Sequence, residues 1–440
     1  MRAGPPKSTK FLLLAGLGAL GAANGFRPFH RRGKWSAMPV WSSGLAASEA
    51  PLACAATQVG VAALAVRRLG LKSPAALATV AVAGASASGY AQLYRRAGQT
   101  APVLQAALAD ALGNDFAAQR HRCATPTRSD RAGALLSQRA RYTVPGAIGI
   151  AYGVEGGKKN TLDVWRRPDL PLDGRAPVLV QIHGGAWATG DNLTQAIPLV
   201  ARMVEAGWVC VLPRYRLSPK ATWPAHIVDI MAVIAWTKAN IAGFGGDPGF
   251  VALTGGSAGA HLSALAALAH DHQPFKPGIE HVDTRVQAVA PLYGAYDWLD
   301  RDHNANPHTV EFVCGQVVKQ SAAEAEAVLR DGSPRTWVRA DAPPFFVIHG
   351  QNDALLPVEQ ARSFVGALRA QSHAPVAYAE LPLGQHGFDF ARTPRTLATV
   401  DAVQTFLEVV HGRHRASVAA DAAVDAAAAG PATHATEEVG

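Results

Sequence analysis

Only one acidic residue, Glu49, stands in the first hundred positions against twelve lysines and arginines, so that stretch carries a net charge of +11. The other 340 positions hold 29 basic and 32 acidic side chains, so the overall charge of +8 belongs to the N-terminal part alone. Nucleic-acid binding requires a basic face on a folded domain, and its absence removes the support for that class. The N-terminal charges instead flank apolar segments, where anionic headgroups attract them. Charge is scarce throughout, at 17% of residues against roughly 25% in an ordinary domain. Hydrophobic residues reach 49%, which excludes wholesale disorder. Cysteine is scarce as well: Cys54, Cys123, Cys210 and Cys314 lie far apart with no C-x-x-C pair, which excludes a disulfide framework or metal-type spacing. H-E-x-x-H is also missing, so no metal is expected.

Three uncharged runs occupy the N-terminal part. Phe11 to Phe26 has 16 residues, short of the about 20 a span needs, and has the form of a signal-peptide core or a shallow first helix. Pro51 to Val66 becomes long enough only by reaching back past Glu49 towards Trp41. Ser73 to Tyr94 has 22 residues dominated by Ala, Gly and Ser, whose small side chains suit close helix contact. With Arg67 to Lys72 as the closing loop, the second and third runs predict a helical hairpin. The positive-inside rule puts that loop in the cytoplasm, whereas Arg27, Arg31, Arg32 and Lys34 argue the reverse if a first span exists, so the topology stays open. The expected organisation is a membrane-associated helical region over 1–96, a linker with a helical cap element over 97–140, a catalytic domain over 141–412 and a disordered Ala-rich tail over 413–440.

Between 141 and 412, strand-like apolar runs alternate with helical patterns, the signature of a mostly parallel sheet with helices on both faces. The strand candidates are Val178 to Ile182, Trp208 to Leu212, Phe250 to Leu253, Val286 to Ala290, Phe345 to Ile348 and Val376 to Ala379. Ile227 to Ile241, Ala258 to Ala269 and Val358 to Ala370 carry apolar residues at helical spacing.

Gly255-Gly256-Ser257-Ala258-Gly259 follows one of these strands and opens one of these helices. In a G-x-S-x-G turn, small neighbours let strand and helix approach closely enough to push a strained serine Oγ into the open. The helix N-terminus there favours developing negative charge. His183-Gly184-Gly185-Ala186-Trp187 follows the first strand candidate, 74 residues before Ser257. Paired glycines leave backbone N–H groups unobstructed, as an oxyanion site demands. A serine hydroxyl also needs a base held by a carboxylate, in the chain order Ser, acid, His. Asp353 follows the strand candidate at 345–348, and His386 follows the run that ends near Pro382. Both fall at the C-terminal edge of the sheet, where such sites lie. Asp297 is the runner-up acid. His183 and Trp187 are expected to support the oxyanion loop, and His349 to bond at a strand end.

The region from about 150 to 410 resembles the α/β-hydrolase esterases of the hormone-sensitive-lipase-like group. It looks most like the membrane-associated Lip carboxylesterases of mycobacteria and other actinobacteria. Gln181 to Trp187, Tyr215-Arg216-Leu217-Ser218-Pro219 with Trp223-Pro224, and Thr254 to Gly259 carry the resemblance, together with Phe345 to Pro357 and Leu381 to Asp389. Asn24-Gly25-Phe26-Arg27-Pro28 and Ser48-Glu49 extend it into the N-terminal part. The resemblance implies an α/β-hydrolase fold preceded by hydrophobic helices, with Ser257 as nucleophile, His386 as base and then acid, and Asp353 as orienting carboxylate. It implies oxyanion donors at Gly185, Ala186 and Ala258, with Gly184 in the same loop. Ala186 replaces a glycine common in relatives, which narrows the alcohol side against tertiary esters. The implied activity is cofactor-free hydrolysis of a small-molecule or lipid ester at the bacterial envelope. An arylformamidase-like amidase and a non-catalytic membrane scaffold are the alternatives, the latter opposed by the filled triad positions.

Overall fold

The computed structural model describes residues 7–29, 34–123, 141–153, 160–172, 174–193 and 195–428. Short runs rich in Val, Ile and Leu form the strands: β1 (Ile150–Ala151), β2 (Thr161–Trp165), β3 (Ala176–Ile182), β4 (Val209–Arg214), β5 (Gly246–Gly256), β6 (Ala288–Leu292), β7 (Phe345–Gly350) and β8 (Val376–Leu381). They make one sheet in the order β1-β2-β4-β3-β5-β6-β7-β8. β1 and β2 are antiparallel at one edge, and β3 to β8 are parallel. The six sequence-derived runs are these parallel strands, with ends moved by a few residues. A parallel sheet is covered on both faces, and every residue of β3 is buried.

The helices that cover the sheet are α5 (Thr100–Leu112), α6 (Ile197–Glu205), α7 (Ala225–Asn240), α8 (Ala258–Leu268), α11 (Glu359–Gln371) and α12 (Pro394–Ala428), with the short α9 (Pro307–Phe312) and α10 (Glu326–Asp331) in the connection between β6 and β7, following α1 to α4 described below. Successive strand side chains point to opposite faces. Val178, Val180, Phe345 and Val347 therefore join the cluster containing Ile230 of α7, Leu265 of α8 and Phe364 of α11. Leu179, Phe346 and Ile348 join Leu108 of α5, Met203 of α6 and Phe406 of α12 on the other face. Each such side chain contributes about 1.5–3 kcal/mol on full burial.

Two boundaries differ from the sequence reading. The helix within 97–140 is α5, which packs into the sheet unit, with Leu104, Leu108 and Leu112 buried in the second core cluster. The Arg-rich remainder of that linker, 124–140, lies outside the described residues. The expected disordered tail begins inside α12, which runs on to Ala428, because an Ala-rich sequence has high helix propensity even without a buried face. Positions 429–440 lie outside the described residues.

The N-terminal helices are α1 (Lys7–Phe26), α2 (Lys34–Glu49), α3 (Pro51–Leu69) and α4 (Pro74–Ala97). α3 and α4 are the expected hairpin, and α1 packs on both; the Tyr90 hydroxyl of α4 donates to the Gly18 carbonyl of α1 at 3.0 Å. Among the described residues, three helical segments are long and apolar enough to cross a membrane, Ser8–Phe26, Pro51–Leu69 and Ala225–Phe244. The third holds α7, whose Ile227, Ile230 and Ile234 are wholly buried in the core of the sheet unit. The first two leave apolar surface uncovered: Leu12, Leu13, Leu14, Leu17 and Leu20 of α1 are 40–64% exposed, and Leu52, Val59 and Leu64 of α3 are exposed with them.

Candidate active site

The parallel register brings the site loops together at one edge of the sheet. Ile182 pairs with Gly255 and Gly256 with Leu292, so the strands before His183, Ser257 and Tyr293 end level. Ser257 sits between β5 and α8 at φ 57°, ψ −118°, a conformation costing about 1–3 kcal/mol in a residue with a side chain. Its N–H is held by the Leu292 carbonyl at 2.9 Å. The turn depends on a missing side chain, since a β-carbon on Gly259 would stand 2.0 Å from the Ile182 carbonyl oxygen. Gly259→Ala should therefore push α8 off β3 and cost about 2 kcal/mol or more. A thermal melt reads this as a lower Tm, and an unchanged Tm would contradict the packing.

His386 Nε2 lies 2.9 Å from Ser257 Oγ, and His386 Nδ1 lies 2.7 Å from Asp353 Oδ2. The other carboxylate oxygen, Oδ1, accepts the backbone N–H groups of Leu355 at 2.9 Å and Leu356 at 2.7 Å. Burial by itself would raise the Asp353 carboxyl, but the facing imidazoles of His386 and His349 hold it well below the ordinary carboxylate range. An ionised Asp353 fixes the proton of His386 on Nδ1 and leaves the Nε2 lone pair facing the serine hydroxyl. A second buried carboxyl, Asp389, accepts from the Tyr293 hydroxyl, and the Tyr293 ring stands edge-on to His386 at 4.8 Å. Burial pushes Asp389 upward, so the two carboxyls near the imidazole are driven in opposite directions. Asp297, the runner-up acid, is engaged by Arg301 and Arg335.

The loop after β3 carries three consecutive positive φ values, 118° at Gly185, 53° at Ala186 and 58° at Trp187. Among the described residues, the N–H groups of Gly185 and Ala186 have no protein acceptor. Ala258 opens α8, where first-turn N–H groups have no partner within the helix. Gly184 is a correction: its N–H donates to Gln195 Oε1 at 2.6 Å, so that amide is taken and Gly184 serves the loop by close approach. A β-carbon there would stand 2.5 Å from the Gly256 carbonyl oxygen. The two supporting residues are locked. The His183 ring stacks on Tyr215 at 4.4 Å, and the Tyr215 hydroxyl donates to the His183 carbonyl at 3.0 Å. The Trp187 indole N–H donates to His261 Nδ1 at 3.2 Å; His261, pushed down to about 3 by burial, is the neutral acceptor this bond requires.

Sequence reasoning missed Gln195, Tyr293 and the contact of His349 with the acid, whose Nε2 is 3.3 Å from Asp353 Oδ2 and 2.8 Å from the Leu356 carbonyl. Spacing held no signal for the first two, because Gln195 bonds back eleven residues within its own loop and Tyr293 meets Asp389 96 positions on, neither as part of a motif.

Sheet order, loop positions and strand edge define an α/β-hydrolase. A family model described as BD-FAE matches residues 163–368. The chain is 44% identical over 409 residues to the probable carboxylic ester hydrolase LipM of Mycobacterium tuberculosis, covering 92% of this chain and 94% of that one. It is 45% identical over 318 residues to the esterase LipQ of the same organism, covering 71% and 75%. Among solved structures, the inhibited esterase B of Lactobacillus rhamnosis superposes with a TM-score of 0.53 at 22% identity over 64% of this chain and 94% of that one, a likeness of fold. The chain belongs to the Lip family of carboxylic ester hydrolases and is a carboxylic ester hydrolase acting on an ester substrate.

Proposed function

We propose that Ser257, His386 and Asp353 perform this hydrolysis through an acyl-enzyme at a membrane surface. The reading rests on one observation, the hydrogen-bonded line from Ser257 Oγ through both nitrogens of His386 to Asp353 Oδ2, at 2.9 and 2.7 Å. Oγ attacks the ester carbonyl carbon while its proton passes to His386 Nε2. The carbonyl oxygen becomes an oxyanion facing the N–H groups of Gly185, Ala186 and Ala258, each worth roughly 2.7–4 kcal/mol in the transition state. His386 then gives its proton to the departing alkoxide, the alcohol leaves, and water repeats the sequence on the acyl-enzyme to release the acid. The Ala186 methyl group crowds the alcohol side, which favours primary over tertiary alcohols.

The exposed leucines of α1 and the apolar face of α3 support insertion of the N-terminal helices in a lipid bilayer, since isolated soluble surfaces rarely carry such patches. The basic loop at Arg67, Arg68 and Lys72 suits anionic headgroups. A bacterial envelope membrane and an apolar, lipid-like ester fit this placement. The test uses the full chain: a fluorophosphonate should label Ser257 in step with loss of p-nitrophenyl butyrate hydrolysis, and the protein should float with phosphatidylglycerol vesicles. Label on another serine would sink the nucleophile assignment, and protein left at the bottom of the gradient would sink the membrane assignment.

A further inference from the structure

The histidine loop is not part of any strand or helix, so its shape rests on side chains that hold its backbone. The His386 N–H donates to Gln385 Oε1 at 2.9 Å, and the same oxygen accepts the Ala354 N–H at 2.7 Å, tying the histidine loop to the acid loop. The His386 carbonyl accepts the indole N–H of Trp41 at 2.9 Å, across 345 positions of sequence. Trp41 belongs to α2, in the N-terminal helical region.

Other contacts dock the same region on the same two loops. Asn352, beside the acid, donates through Nδ2 to the carbonyls of Gly25 at 2.8 Å and Phe26 at 3.0 Å, which are last-turn groups of α1 that need donors. Gly44 of α2 lies so close to the loop that a β-carbon there would stand 2.7 Å from Gln385 Nε2. Glu49, the lone acid of the first hundred residues, is buried against Arg395 Nε at 2.8 Å and accepts from Thr393 Oγ1 at 2.9 Å. Arg395 in turn donates to the Pro382 carbonyl at 2.8 Å, at the start of the histidine loop. Asn24 braces the joint between α1 and α2 by donating to the Val40 carbonyl at 2.7 Å and accepting the Phe29 N–H at 3.0 Å.

We propose that Trp41 is a positioning residue for the esterase reaction, and that α1 and α2 hold the histidine and acid loops in their catalytic geometry. This rests on the reading of His386 as the base. A side chain from the N-terminal helices fixes the peptide that carries the imidazole. Ester hydrolysis therefore depends on docking of those helices, and their seating in a lipid bilayer bears directly on the catalytic loops.

The experiment uses the full chain in detergent micelles, with the burst of p-nitrophenol from p-nitrophenyl acetate counting competent sites so that kcat is read per site. Trp41→Phe keeps an aromatic ring and removes the indole N–H. It should lower kcat about 5- to 50-fold, as a small misplacement of a catalytic group does, with KM changed less than about twofold. Glu49→Gln should lower kcat in the same direction through weakened docking, and Val418→Ala, exposed on the C-terminal part of α12, should keep wild-type kcat. Wild-type kcat per site in Trp41→Phe, or a change confined to KM, overturns the proposal. Loss of the histidine-base reading is a separate outcome: His386→Ala would then retain turnover, whatever Trp41→Phe does.

Discussion

Ser257→Ala should lower kcat for p-nitrophenyl butyrate by roughly 10⁴- to 10⁶-fold, the usual consequence of deleting a nucleophile from a triad. Alanine removes Oγ and nothing else. It tolerates φ 57° about as well as serine does, and the Leu292 carbonyl still holds its N–H. The fold, and with it the Tm, should stay within a degree or two of wild type. The remaining oxyanion groups and binding surface should leave a rate still well above that of water. A variant that retained a tenth of wild-type kcat would remove Ser257 from the chemistry, because Ser257 Oγ is the hydroxyl that stands 2.9 Å from His386 Nε2. Matched Tm values separate this from a folding defect.

Much of this architecture is legible in the sequence because its signals are local. The parallel strands are short apolar runs, and the loops after them carry Ser257, Asp353 and His386 in the order the proposed mechanism requires. β1 and β2 were not legible: Thr161–Trp165 mixes polar and apolar residues and its antiparallel partner has only two residues, too little for a periodicity. α2 escaped for a different reason. Pro39 lies inside it and argues locally against a helix, so only packing against α1 and the histidine loop explains it. The Gly184-Gly185 pair announced free backbone amides, but spacing does not reveal which amide a distant side chain has taken. Gln195, eleven residues on, decides that. Asn24 to Pro28 and Ser48-Glu49 were visible as a resemblance without a reason, and the contacts of Asn352, Thr393 and Arg395 supply one.

Asp353→Asn should cost about 10³- to 10⁴-fold in kcat, and the geometry says why the wrong tautomer must form. Oδ1 of Asp353 receives two backbone N–H groups, from Leu355 and Leu356. An asparagine NH2 cannot accept them, so its carbonyl oxygen must take that place and its NH2 must take the place of Oδ2, 2.7 Å from His386 Nδ1. Donor then faces Nδ1, which has to give up its proton and accept. The proton moves to Nε2, where it points at Ser257 Oγ and blocks the lone pair that deprotonates the serine. His349 cannot substitute as acceptor, since its Nε2 is spent on the Leu356 carbonyl at 2.8 Å. KM should change little, because Asp353 is buried and offers the substrate no surface. Asp297→Asn is the control for carboxylate loss as such: it weakens the hold on Arg301 and Arg335 and should lower Tm while kcat stays within a few-fold. If Asp297→Asn carried the large kinetic loss and Asp353→Asn did not, the acid would belong after β6 instead of β7.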